Sequence, residues 1–231
     1  MRPATAFVEL AVVATAVTSY FAFRPQSSGT VAFWVFAGAP QLLLAAGAAA
    51  WARREELLRD WLTPKWGDFT RGVLAAALYF GLAWAFARLV AAPGSPRLIW
   101  LVSLYGQLGD PRLLQAHAPA IAVTIAAVAL AEEVLWRGAV TQLLAERVGS
   151  RNAWLWAAAL YALAYVPTGW SLRAASGGDG GYNPVLVIAA LGGGLLWGGM
   201  ARAFGRLAPG ILAHALFDWA VVMMFPLWGL R

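Results

Sequence analysis

The chain has 231 residues, of which 61% are hydrophobic and 12% charged, with a formal net charge of +6. So apolar a chain cannot clothe a globular surface in water, which excludes a soluble domain and predicts an integral membrane protein. Its seventeen Lys and Arg, Lys65 being the sole lysine, fall mostly between apolar runs rather than in a nucleic-acid-binding patch; the absence of cysteine excludes disulfides, a thiolate nucleophile and cysteine metal sites.

Arg2 is followed by an apolar run too long for a signal-peptide core and without a small-residue cleavage site, so it reads as a retained span. About 20 residues cross a bilayer, and seven runs approach that length, near 4–23, 31–51, 69–91, 119–142, 153–170, 184–204 and 207–229. The expected fold class is therefore all-α, a polytopic bundle of about seven transmembrane helices. Between the second and third runs, Arg53 to Leu62 sets Leu57, Leu58, Trp61 and Leu62 on one helical face opposite charges, the pattern of a short interfacial helix. Residues 93–118, interrupted by Pro93, Pro96, Gly109 and Pro111 and followed by Pro119, read as a long loop, although Leu98 to Leu104 could dip into the interface. Arg173 to Pro184, with Gly177, Gly178, Gly180 and Gly181, reads as a flexible connector, either a plain linker or a gate. In the sixth run, Gly194 and Gly198 make a GxxxG step that lets another backbone approach, within the bundle or between copies. The chain divides into residues 1–118, with the N-terminal spans, interfacial helix and long loop, and 119–231, which hold the candidate core.

If seven spans alternate, then with Arg137 of the fourth span left aside ten Lys and Arg share the side of the 53–65 loop, counting Arg2, and six share the other, counting Arg231. That excess favours a cytoplasmic N-terminus. The arginine-over-lysine and alanine-rich usage points to a GC-rich bacterial source, and so to a bacterial cytoplasmic membrane.

The chemistry concentrates in Glu132-Glu133-Val134-Leu135-Trp136-Arg137, embedded in the fourth run. Each charge inside a span costs roughly 2.5–3.5 kcal/mol on insertion scales, so such residues mark function by default. Glu133 and Arg137, four apart on a helix, can pair on one face. Glu132 points about 100° away without a sequence-local cation, and an unpaired carboxylate in apolar surroundings suits general-base work. The alternative is one structural ion cluster. In the last run, His214 and Asp218 repeat the four-residue spacing, so the carboxylate can orient the ring or share its site.

Glu-Glu-x-x-x-Arg in one span, an aromatic-x-x-x-His in the next and His-x-x-x-Asn/Asp in a later one is the pattern of the CPBP intramembrane proteases, the CAAX-processing and bacteriocin-processing group also called Abi. The chain resembles that family over roughly 119–222, most closely in Arg206 to Asp218. It departs at the second motif, Tyr161-Ala162-Leu163-Ala164-Tyr165, where Tyr165 stands in place of the histidine; the other histidine, His117, lies about 22 Å before Glu132 along a continuous helix. The resemblance implies that Glu132 activates water, that Glu133 and Arg137 support the helix presenting it, and that His214 with Asp218 binds the oxyanion or a metal. No cofactor is implied with certainty; a divalent metal such as zinc is the minority option, since one histidine and carboxylates would have to hold it. The partners implied are the bilayer and membrane-anchored protein substrates, which a myxosortase-like member would cut near a C-terminal anchor. Two rival readings stay open: a catalytically inactive relative serving as scaffold or immunity protein, and a small transporter.

Overall fold

A computed structural model describes residues 3–224; Arg2, Arg231 and the end of the seventh predicted run lie outside the described residues. Those residues form helices and no strand, as expected where backbone polar groups must be satisfied without water. Among the described residues, five helices are long and apolar enough to cross a membrane: Thr5–Ala22, Val31–Arg54, Asp68–Val90, Ala118–Val148 and Val185–Phe204. They comprise α1 (Pro3–Ala22), α2 (Val31–Arg54), α4 (Asp68–Ala85, continued by a π-helical turn), α7 (Ala118–Glu132) with its extension and α8 (Thr141–Val148), and α11 (Val185–Phe204).

The other two predicted spans differ. The run at 153–170 breaks at Tyr165 into α9 (Ala153–Ala164) and α10 (Val166–Ala175), because Pro167 opens a new helix and cannot continue the old one. The kinked pair still crosses the bundle. Arg147, before α9, bonds Thr5 near the start of α1, whereas Ser171 on α10 bonds the Tyr20 carbonyl near its end. The last run gives α12 (Ala208–Met223), shorter than the five spans.

Two further expectations are corrected. Residues 93–118 are not a long loop but carry α5 (Pro96–Gly106) and α6 (Pro111–Ala116). Of the prolines read as breakers, Pro96 and Pro111 occupy the first helical turn, where no N–H is missed, and Ser95 and Asp110 cap the two helices by accepting from Leu98 and Arg112 amides; Pro93 lies in the turn before α5. The expected helix at 53–62 shrinks to α3 (Leu58–Leu62), since Arg53 and Arg54 finish α2. Nor does Trp61 merely rest at an interface: it packs on Gly138, where a Cβ would lie 2.6 Å from the indole, and its carbonyl accepts the Leu207 amide at 2.9 Å.

Helices α1, α2, α7, α12, α11 and α9 pack in sequence around the centre, with α4 laid against α12. Gly194 and Gly198 face Ala158 and Trp154 of α9, so the GxxxG step serves packing inside the bundle. Asp68, buried at the start of α4, accepts from Arg206 at 2.6 and 2.8 Å and from Arg71 at 3.3 Å, tying α4 to the turn before α12. The glycine-rich connector is pinned: Gly180 accepts from Trp100 at 2.7 Å, and Asn183 donates to the Trp100 carbonyl at 2.9 Å and to Ser103 at 3.0 Å.

Candidate active site

Helix α7 does not end at the paired glutamates. It widens into a π-helical segment, Glu133–Val140, in which every residue is buried. The Thr141 hydroxyl donates to the Trp136 carbonyl at 2.8 Å, filling an acceptor five residues back. Nothing in the residue spacing announces this widening, which is of a kind frequent at functional sites.

The six predicted site residues Glu132, Glu133, Arg137, Tyr165, His214 and Asp218 come together here. Glu133 is fully buried; its Oε1 lies 3.2 Å from Arg137 Nη1 and 2.9 Å from His214 Nδ1. The predicted pair is thus the middle of a chain reaching from α7 to α12. Arg137 also stacks its guanidinium 4.6 Å from the Tyr161 ring centre. Glu133 Oε2 is buried without a hydrogen-bond partner among the described residues, and Gly210 keeps α12 close beside it, where a Cβ would lie at 3.3 Å.

Glu132 is held by a different set. Its Oε2 accepts from the Tyr161 hydroxyl at 2.5 Å and its Oε1 from Tyr165 at 3.1 Å. The ring of His214 turns Nε2 toward Glu132 Oε2 at 3.6 Å and toward Asp218 Oδ2 at 3.4 Å. Glu132 and His214 are each 5% exposed, whereas the Asp218 side chain is 34% exposed. Trp197 of α11 stacks on the His214 ring, centroids 5.8 Å apart at 26°. Sequence reasoning overlooks Trp197, which sits in a glycine-rich apolar run with no motif around it.

Glu132, Tyr161, Tyr165, His214 and Asp218 line one cavity of about 530 Å³. The rest of its lining is mostly apolar, from Phe33 and Trp34 on α2 to Leu101 and Leu104 on α5 and Phe217 on α12. Charged groups are therefore gathered at one end of an oily chamber. A catalytic zinc takes three protein ligands at about 2 Å. Here both Glu132 oxygens accept tyrosine hydroxyls, His214 Nε2 lies 3.6 Å from Glu132 Oε2 and 3.4 Å from Asp218 Oδ2, and among the described residues no group of three or more His, Cys, Asp or Glu is arranged to hold a metal.

A helical bundle with long apolar helices and ionisable groups at an apolar cavity defines the class: an integral membrane protein with a polar site inside its bundle. Residues 114–220, a little under half of the chain, match the family model described as type II CAAX prenyl endopeptidase Rce1-like, so this segment is similar to the CPBP/CAAX protease family. The match supports a CAAX-type intramembrane protease at the level of that family. Searches of curated proteins and of solved structures return no match.

Proposed function

We propose that the protein is an endopeptidase that cuts membrane-anchored protein substrates near their anchor, using a water activated by Glu132. The observation that carries this reading is the position of the Glu132 carboxylate, within 3.6 Å of His214 Nε2 and at the wall of an apolar cavity. A water between Glu132 and the His214–Asp218 pair would face a base on one side and polar groups on the other. Glu132 takes the water proton as oxygen adds to the amide carbon, and returns it to the departing nitrogen. The oxyanion meets His214, whose orientation is fixed by Glu133 through Nδ1. Tyr165, bound to Glu132 by the longer of the two phenol contacts, is the neutral donor nearest the position of the family's absent histidine.

The test compares termini of membrane proteins by mass spectrometry, in cells carrying wild type or Glu132→Gln. New termini next to apolar anchors, present with wild type and absent with the variant, are expected. Identical termini in both would sink the reading.

A further inference from the structure

Leu82 on α4 and Ile188 on α11 both line the cavity, yet are 58% and 61% exposed. Every other lining side chain is buried or half-buried. The cavity therefore opens sideways between these two helices. Both belong to segments long and apolar enough to span a bilayer, so hydrocarbon meets the opening. Across the seam, the Tyr79 hydroxyl donates to the Ala189 carbonyl at 2.6 Å. Gly192 makes room for it, since a Cβ there would lie 2.6 Å from the phenol oxygen. Trp197, stacked on His214, is nine residues beyond Ile188, about 13 Å along α11.

We propose that the α4–α11 seam is the doorway through which an apolar polypeptide anchor passes sideways from the bilayer toward Glu132; this rests on the endopeptidase reading. A cavity of about 530 Å³ takes a few residues and not a whole helix, so the anchor unwinds at its end. Unwinding bares backbone N–H and C=O groups that hydrocarbon cannot satisfy. The wall also carries Gln41, whose buried Oε1 has no hydrogen-bond partner among the described residues, and the hydroxyl oxygens of Thr18 and Thr124, acceptors that the N–H groups of an unwound peptide can use and a lipid chain cannot.

With no native cysteine, thiols placed at both edges react without background. Joining Leu82→Cys to Ile188→Cys with a short bis-maleimide should slow cleavage of a peptide carrying an apolar transmembrane anchor by about tenfold or more, while a short peptide with the same scissile sequence and no anchor changes by less than about twofold. Unchanged cleavage of the anchored peptide, or equal loss on both, overturns the doorway. If the unjoined protein cuts neither peptide, the endopeptidase reading fails instead, and capture decides the doorway. In a Glu132→Gln background, a photo-crosslinker on Ile188→Cys should then trap the anchored peptide, and one on Val123→Cys, 71% exposed on α7, should not. Trapping at 123 but not at 188 overturns the proposal, as does preferential trapping at 188 of a peptide anchored by a lipid chain alone.

Discussion

His214 Nδ1 lies 2.9 Å from Glu133 Oε1, across 81 residues of sequence. This contact sets the imidazole plane, and so decides that Nε2 faces Glu132 and Asp218. The two adjacent glutamates thus do different work: one orients the ring, the other stands where the ring points.

Replacing Glu133 should therefore damage the fold as well as the chemistry. Glu133→Gln leaves Arg137 buried without its counter-charge, a change that costs about 3–5 kcal/mol. Thermal unfolding in detergent should show that loss, and Glu133→Gln/Arg137→Met should recover stability without activity. Glu132→Gln keeps an acceptor for a tyrosine hydroxyl and should unfold near the wild-type temperature. Equal destabilisation by the two single variants would mean that all three charges form one structural cluster.

Tyr165 separates an active enzyme from an inert relative. Its phenol has an unperturbed pKa near 10 in water and so serves as a donor rather than a base at neutral pH. Tyr165→Phe should slow cleavage about 10–1000-fold, the scale of losing one oxyanion donor, while Tyr165→His retains or raises the rate. The assay is cleavage of an anchored peptide by purified protein. Inert wild type with activity gained in Tyr165→His would mean that the fold has lost its chemistry.

Gly169 is expected to tolerate no side chain. A Cβ there would strike the Tyr182 ring and lie 2.7 Å from the Asn183 carbonyl oxygen, which belongs to the backbone of the pinned connector. Gly169→Ala should cost about 1–3 kcal/mol, the usual penalty of overpacking. It should also speed proteolytic nicking between Ser176 and Gly181. Unaltered nicking and stability would show that the connector shifts freely.

Orientation follows from the charge excess. The 53–65 loop should face the cytoplasm, and the connector at Gly177 to Gly181 should lie outside. Single cysteines at Thr63 and Asp179, both exposed, report this with an impermeant maleimide on intact cells. Labelling at 63 and not at 179 would invert the arrangement.

What could be read from the sequence was what depends on near neighbours. Apolar runs gave the helices, and the four-residue steps 133–137 and 214–218 gave two halves of the site. Their joining through Glu133 and His214 spans 81 residues and had no local sign; the same holds for Asp68 with Arg206, 138 apart. Residues 93–118 misled because a proline at the head of a helix looks like one that breaks it, until Ser95 and Asp110 are recognised as caps. Pro167 did mark the break in the fifth run, but total apolar length outweighed it.

The widened stretch from Glu133 to Val140 has a bearing on how such a chain can change over generations. A π turn closes on the fifth residue where an α turn closes on the fourth, so losing one residue there leaves an unbroken α-helix. A deletion between Glu133 and Arg137 would leave the pair three residues apart, which an α-helix still sets on one face. It would also narrow the backbone that Gly138 holds against Trp61 and that Gly210 meets at the Glu133 carboxylate. The span would still cross the bilayer, so the loss of one codon would disturb the fit of the site and leave every helix in place.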